Sequence, residues 1–140
     1  MRIFIADDND TVRRGVISIL SAEPGWIICG EAKDGLEAVE KGRDLVPDVI
    51  LLDVSMPGAN GLEVTRRLRQ HALQAKIVLI SQHDPAQILQ SALTSGANAC
   101  VDKGRLVSDL VTTIKKLTSN LNNIAKGNAS ENEVVDNEVA

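Results

Sequence analysis

Aromatic side chains are almost absent from this sequence of 140 residues, which has one tryptophan, one phenylalanine and no tyrosine. Leu, Ile and Val must therefore fill the core. Hydrophobic residues make up 44% of the sequence and charged residues 24%, which is ordinary for a globular protein. The length suits one domain, and a chain of this size can bury a core without disulfides or a structural metal.

An excess of positive charge is also missing. The 15 Lys and Arg residues are outnumbered by 19 Asp and Glu residues, which gives a net charge of −4. A protein that holds phosphate backbones needs a basic face. We therefore predict that this chain does not bind nucleic acid directly.

Long apolar runs and clustered cysteines are absent too. The longest apolar stretches fall far short of the roughly 20 residues that span a bilayer. Asp7, Asp8 and Asp10 lie where the apolar part of a signal peptide would have to be. Cys29 and Cys100 form no CxxC motif and each lies in an apolar run, so we expect two reduced, buried thiols. These features predict a cytoplasmic protein without membrane association.

Five short apolar runs, rich in β-branched residues, alternate with longer amphipathic segments. Gly, Pro, Asp or Ser bounds each run, which is typical of a strand buried on both faces. The runs are residues 3–6, 26–29, 49–52, 77–80 and 99–101. Five such strands alternating with five helices predict an α/β fold, with a parallel sheet and helices on both of its faces.

The segments between the runs carry helix signals. One-sided apolar stripes mark the first helix, over residues 11–22, and the last, which contains residues 106–117. Capping pairs are predicted for the three helices between them: Asp34 with Glu37, Asn60 with Glu63, and Asp84 before Pro85, with Gly96 ending the fourth helix. Residues 119–140 are rich in Asn and Glu, so we predict a domain over residues 1–118 and a flexible tail over 119–140.

Chemically functional side chains follow four of the predicted strands. Asp7 and Asp8 follow the first strand, Asp53 the third, Ser81 the fourth and Lys103, one residue on, the fifth. Each residue alone would be an ordinary turn, cap or surface residue. In an open parallel sheet, however, the carboxyl ends of the strands share one edge, where ligands bind. The joint arrangement therefore predicts a functional site at that edge.

The chemistry of this set favours phosphoryl transfer. Three clustered carboxylates repel one another unless a cation lies among them, and oxygen ligands in a shallow site favour Mg²⁺. A lysine and a hydroxyl beside the metal can contact the oxygens of a transferring phosphoryl group. Asp53 lies on the central strand and is the natural nucleophile, because a carboxylate can form an aspartyl phosphate.

At this point the sequence resembles the CheY-like receiver family of the response regulators of two-component systems. The resemblance covers about residues 1–118 and rests on residues 6–8, 52–57, 60–61, 80–81 and Lys103. It implies a flavodoxin/CheY-like three-layer sandwich with strand order 2-1-3-4-5. The run of residues 81–84 is similar to receivers that usually carry a LuxR-type DNA-binding domain.

The resemblance also implies roles for individual residues. Asp53 would accept a phosphoryl group from a histidine of a sensor kinase or phosphotransfer protein. Lys103 would pair with the phosphoryl oxygens, and Ser81 would move toward the phosphate and shift a two-state equilibrium. The implied Mg²⁺ ligands are the side chains of Asp8 and Asp53 and the backbone carbonyl of Ser55, with Asp7 acting largely through water.

Three positions depart from the family pattern. Cys100 stands in strand 5 where receivers usually have Tyr or Phe, so the resemblance implies an atypical readout. Gln82 follows Ser81 where small residues are common. Gly104 follows Lys103 in place of the frequent proline, so a cis peptide is not expected there. The residues needed for phosphorylation are all present.

Two other classes of protein fit less well. A phosphatase of the aspartyl-phosphate type would have a second acid shortly after Asp53 and a cap, and this chain has neither. A flavin-binding domain would need a phosphate-cradling first loop and aromatics, whereas Asp7 and Asp8 repel phosphate. We therefore predict a signalling module rather than an enzyme, with only self-phosphorylation and dephosphorylation as its own activity.

The output stays open at this stage. The polar tail slightly favours a stand-alone receiver over the receiver fragment of a longer regulator. Receivers often form homodimers through helix 4, strand 5 and helix 5, or through helices 1 and 5. The sequence does not select between these two surfaces.

Overall fold

The computed structural model describes residues 1–71 and 73–119. The predicted flexible tail over 119–140 lies outside the described residues from residue 120 on. In the described part of the chain, no helix is both long and apolar enough to cross a membrane.

Five parallel strands form one sheet in the order β2-β1-β3-β4-β5, with a helix after each strand. The strands are β1 (Arg2–Ala6), β2 (Ile27–Ala32), β3 (Val49–Asp53), β4 (Lys76–Ser81) and β5 (Ala99–Asp102). The helices are α1 (Asp10–Ser21), α2 (Gly35–Leu45), α3 (Gly61–Gln70), α4 (Pro85–Ser95) and α5 (Leu106–Leu117), and a 3₁₀ turn (Lys103–Arg105) precedes α5. The predicted fold class and strand order are confirmed.

The strands differ in burial according to their place in the sheet. Every residue of β3 is buried, and β1 and β4 each have one residue that is not. In β2 only Ala32 is fully buried and in β5 only Val101. The prediction that all five strands are buried on both faces is therefore wrong for β2 and β5, because they form the two edges of the sheet.

Two hydrophobic clusters fill the space on either side of the sheet. One packs the face covered by α2, α3 and α4, and the other packs the face covered by α1 and α5. Phe4 lies in the first cluster, and the single tryptophan, Trp26, lies at the margin of the second. Aliphatic residues make up nearly all the rest, as the shortage of aromatics predicts.

The predicted capping residues begin their helices, but of the two glutamates predicted to complete a reciprocal cap, only Glu37 accepts a hydrogen bond from the backbone before its helix. The backbone N–H of Glu37 donates to Asp34 Oδ1 at 2.8 Å, and the Glu37 carboxylate accepts from the N–H of Lys33. The N–H of Glu63 donates to Asn60 Oδ1 at 3.0 Å. The Glu63 carboxylate instead binds arginines one turn later, Arg66 and Arg67, which lie at the favourable i+3 and i+4 positions.

The two cysteines lie on opposite edges of the sheet. Cys29 is in β2 and Cys100 in β5, so four strand spacings of about 4.8 Å each preclude an intramolecular disulfide. Both are half-buried, not buried as predicted, because edge strands are covered incompletely. Burial still raises the pKa of the Cys29 thiol, and it raises the pKa of Cys100 to about 11. Both thiols are therefore protonated at neutral pH.

Candidate functional site

Three carboxylates from separate parts of the sequence meet at the carboxyl edge of the sheet. Asp7 follows β1 and Asp53 ends the neighbouring strand β3. One oxygen of each of Asp7, Asp8 and Asp53 lies within 4.8 Å of the others. Asp7 and Asp53 are each 2% exposed, whereas Asp8 is exposed. The cluster is therefore open to solvent on the side of Asp8.

Lys103 reaches this cluster from the far edge of the sheet. Its Nζ lies 3.2 Å from Asp53 Oδ2 and 3.3 Å from Asp7 Oδ2. The 3₁₀ turn that carries Lys103 is capped by Asp102, whose Oδ1 accepts from the N–H of Gly104 at 2.8 Å. No peptide bond of the described residues is cis, as expected for Lys103–Gly104. Lys103 thus supplies one positive charge to three carboxylates.

One oxygen of Asp7 has no hydrogen-bond donor among the described residues. Asp7 Oδ1 accepts from the N–H of Asn9 at 2.8 Å, but the buried Oδ2 accepts no hydrogen bond. The Lys103 ammonium lies 3.3 Å from this oxygen and attracts it electrostatically. A buried polar oxygen without a hydrogen-bond donor is costly. The oxygen-only donor set and this unsatisfied atom fit a hard cation such as Mg²⁺.

Asp53 is held by groups that act in opposite directions on its charge. Burial raises the pKa of its carboxyl, and the negative charge of Asp7 raises it further. The N–H of Ser55, which donates to Asp53 Oδ1 at 3.1 Å, and the Lys103 ammonium lower it. The net shift is upward. Ionised Asp53 is therefore under-compensated by the protein's own groups.

Ser81 ends β4, the strand next to Asp53. It is 1% exposed, and Asp53 pairs with the residue before it, Ile80. The Ser81 hydroxyl oxygen accepts from the N–H of His83 at 3.0 Å. A movement of this hydroxyl would therefore disturb the turn that leads into α4.

The loop after β3 is fixed by two glycines. Gly61 donates its N–H to the Val54 carbonyl at 2.9 Å, and a Cβ at Gly61 would lie 2.8 Å from the Asp53 carbonyl oxygen. Gly35, at the start of α2, donates to the Pro57 carbonyl. These contacts hold the loop that carries Ser55, which is exposed. The role of the Ser55 carbonyl as a metal ligand stays a prediction.

Sequence reasoning missed one charged residue of the site. Arg13 on α1 is only 5% exposed, and its Nη1 donates to the Asp7 carbonyl at 2.8 Å. The predicted stripe of α1 included Val16 and Leu20, which lie three and seven residues after Arg13. That helical spacing places an arginine on the buried face and is the signal that would have found it.

Comparison with known proteins gives consistent results. The response regulator receiver domain family matches residues 3–115. The response regulator GacA of Pseudomonas viridiflava is 35% identical over 115 residues, which are 82% of this chain and 54% of that protein. The chain thus spans about half the length of the curated relatives it matches.

Solved structures are similar along most of the chain. The receiver domain of NarL from Mycobacterium tuberculosis is 34% identical with a TM-score of 0.79, covering 84% of this chain and 95% of that one. A LuxR-family two-component response regulator from Aurantimonas sp. SI85-9A1 is 31% identical with a TM-score of 0.80, covering 85% of each chain.

Proposed function

The chain belongs to the response regulator receiver domain family, whose known role is phosphorelay signalling, and on that premise we propose that Asp53 is its phosphoryl acceptor. The predicted resemblance to receivers of LuxR-type regulators is confirmed by the similar proteins. The observation that carries the proposal is the position of Asp53. Its Oδ2 lies 3.2 Å from Lys103 Nζ, and two further carboxylates flank it.

The donor is a phosphohistidine of a sensor histidine kinase or a phosphotransfer protein, the partners typical of receiver domains. The N–P bond of the donor breaks, an O–P bond to an Asp53 carboxylate oxygen forms, and a proton returns to the departing imidazole. Asp7, Asp8, Asp53 and the carbonyl of Ser55 would hold Mg²⁺, which when bound offsets the negative charge of the carboxylates and phosphoryl oxygens.

Two side chains respond to the new phosphoryl group. Lys103 exchanges its contacts with Asp7 and Asp53 for the phosphoryl oxygens, since their negative charge is then the stronger attraction. The Ser81 hydroxyl donates to another phosphoryl oxygen. Because Ser81 also accepts from the N–H of His83, this shift changes the turn before α4 and biases the output surface. The chain catalyses only its own phosphorylation and dephosphorylation.

Two surfaces are available for output. The face of α4, β5 and α5 includes Leu89 and Leu93 of α4, which are 42% and 49% exposed, and the half-buried Cys100 of β5. Near α1, the start of α5 presents Val107, which is 85% exposed. A homodimer through either surface is compatible with these side chains. With Cys100 in place of an aromatic ring, readout through the first face is atypical.

The family also suggests where the chain acts and whether it acts alone. The chain acts in the cytoplasm, either as a stand-alone receiver or as the receiver part of a longer transcriptional regulator. Its net charge of −4 favours protein contacts over direct contact with nucleic acid.

The acceptor is tested by incubating the protein with acetyl phosphate and Mg²⁺ and measuring the intact mass. We expect a single phosphate adduct that requires Mg²⁺ and is absent in Asp53→Asn. Asp44→Asn, which removes an exposed carboxylate of α2, is the matched control and should be phosphorylated normally. An adduct that persists in Asp53→Asn, or a wild-type protein that takes no phosphate, would contradict the proposal.

A further inference from the structure

Arg13 is a buried cation for which the proposed transfer has no direct use. Among the described residues it is the only basic residue whose side chain is buried, with 5% of the residue exposed. Its guanidinium donates from Nη1 to the Asp7 carbonyl at 2.8 Å and from Nε to Glu31 Oε1 at 2.8 Å. A third bond goes from Nη2 to the Asp10 carboxylate.

Through these bonds and those of Asp7 itself, the loop that carries Asp7 and Asp8 is tied to α1 and β2. The N–H of Asp7 donates to the Ala32 carbonyl at 3.1 Å, its Oδ1 accepts from Asn9, and its carbonyl accepts from Arg13. That carbonyl belongs to the peptide group joining Asp7 to Asp8. The bond from Arg13 therefore holds the orientation of the peptide plane between Asp7 and Asp8.

The position of the Asp8 carboxylate depends on the orientation of this peptide more than the positions of the Asp7 and Asp53 carboxylates do. Asp7 and Asp53 are buried, so packing restrains their carboxylates, whereas Asp8 is exposed. Because few contacts restrain an exposed side chain, the backbone fixes only its Cα–Cβ direction, and its rotamers sample positions around that direction. A rotation of the Asp7–Asp8 peptide would consequently move the Asp8 carboxylate away from the other two.

Stability alone does not account for a buried arginine here. The side chains of its two acidic partners, Asp10 and Glu31, are 58% and 47% exposed. Ion pairs with exposed partners contribute little to folding, and burying the guanidinium carries a desolvation penalty. An apolar side chain of similar length could occupy the space. Such a side chain would lose all three bonds, and of these only the bond to Asp7 is made with a residue of the acidic cluster.

We propose that Arg13 is a positioning residue, which holds the Asp7–Asp8 peptide so that the carboxylates of Asp7, Asp8 and Asp53 converge on one cation. The inference rests on the proposed function, because it assigns Arg13 a role in the affinity of that site for Mg²⁺. Groups that orient metal ligands through hydrogen bonds typically change metal affinity by 10–100-fold when they are replaced.

The test compares Arg13→Met with Arg14→Met in titrations with Mg²⁺ followed by calorimetry. Arg14 is the adjacent residue of α1 and is exposed, so its variant loses the same charge without touching the loop. By Coulomb's law alone, removing a cation near this site should strengthen Mg²⁺ binding. We expect the dissociation constant of Arg13→Met to rise about tenfold, which is opposite to the charge effect, and that of Arg14→Met to stay unchanged or fall.

A kinetic measurement separates positioning from a general loss of structure. In phosphorylation by acetyl phosphate, Arg13→Met should require about tenfold more Mg²⁺ for half-maximal rate, and its rate at saturating Mg²⁺ should approach that of the wild type. A variant that was merely less stable would lose maximal rate without this change in Mg²⁺ requirement.

The outcomes are distinct. A folded Arg13→Met that binds Mg²⁺ as the wild type does overturns the inference and leaves the proposed function intact. If Arg13→Met does not fold, Arg13→Gln places its amide nitrogen about where Nε lies, so it can keep the bond to Glu31 but not the bond that Nη1 makes to Asp7. Unchanged Mg²⁺ affinity in that variant overturns the inference. A wild-type protein that binds no Mg²⁺ overturns both.

Discussion

Among single residues, Asp53 shows how the acidic cluster lowers stability, because its negative charge is buried beside that of Asp7. The pKa of this carboxyl is raised from 3.8 by burial first and by Asp7 second, despite the Ser55 N–H and Lys103. Folding therefore favours the protonated form of Asp53 relative to the unfolded chain. The resulting stabilisation is complete below pH 3.8 and is lost as the pH rises through the folded-state pKa. At neutral pH, ionised Asp53 destabilises the metal-free protein.

We therefore expect Asp53→Asn to be more stable than the wild type in the absence of divalent cations. The amide keeps the shape of the carboxyl and removes the charge that burial and Asp7 oppose. The free energy of unfolding at pH 7, measured with urea and EDTA, should rise by about 1 kcal/mol.

The pH dependence supplies the internal control for this prediction. The difference between the two proteins should shrink as the pH approaches 3.8, because the wild-type carboxyl is then increasingly neutral too. Asp44→Asn, at an exposed position of α2, should show no comparable gain at pH 7. A less stable Asp53→Asn would mean that Lys103 outweighs burial and Asp7.

At the scale of elements, glycines decide how closely helices approach the site. Gly35 begins α2, and a Cβ there would collide with the backbone carbonyl oxygen of Ala59 in the loop after β3. Gly15 lies in the middle of α1, and a Cβ there would meet nothing within 4 Å. The same substitution should therefore have opposite effects in the two helices.

Gly35→Ala should destabilise the protein by about 2 kcal/mol, since backbone must move to admit the methyl group. Gly15→Ala should stabilise it by about 0.5–1 kcal/mol, because alanine loses less backbone freedom in a helix interior. Urea unfolding of both variants beside the wild type checks the pair. Equal changes of the same sign would show that helix propensity alone, and not the contact of α2 with the loop, sets both values.

In the molecule as a whole, both hydrophobic clusters pack against the same sheet, one on each of its faces. The central strands β1, β3 and β4 contribute side chains to the two clusters alternately, so neither cluster persists without the other. Unfolding should be a single cooperative transition. The acidic cluster lies at the edge where β1 and β3 end, so a ligand bound there would stabilise the domain as a whole.

We expect Mg²⁺ to raise the stability of the entire domain. At a free concentration 100 times its dissociation constant, a ligand of the folded state adds about 2.7 kcal/mol to the free energy of unfolding. Thermal unfolding followed by circular dichroism with increasing MgCl₂ should show one transition moving to higher temperature. NaCl at equal ionic strength is the control for screening, and an equal shift with both salts would argue against a specific site.

Much of this molecule could be predicted from the sequence because its signals are local or follow from parallel topology. The apolar runs give the strands, Asp34, Asn60 and Asp84 give helix starts, and parallel strands bring Asp7, Asp53 and Ser81 to one edge whatever the details of packing. Glu63 illustrates the limit of local reasoning, because two arginines compete for its carboxylate.

The fold class, the elements and the candidate acceptor could be predicted without coordinates, because residue period and the alternation of strands with helices can be followed along the chain. The resemblance to the receiver family supplied the strand order, and the contacts that hold the site became visible only in three dimensions. The tertiary structure showed that Cys29 and Cys100 lie on half-buried edges, that Asp7 Oδ2 has no donor among the described residues, and that Arg13 turns inward to Asp7. These facts depend on distances between elements far apart in sequence, which are set by packing and electrostatics in three dimensions.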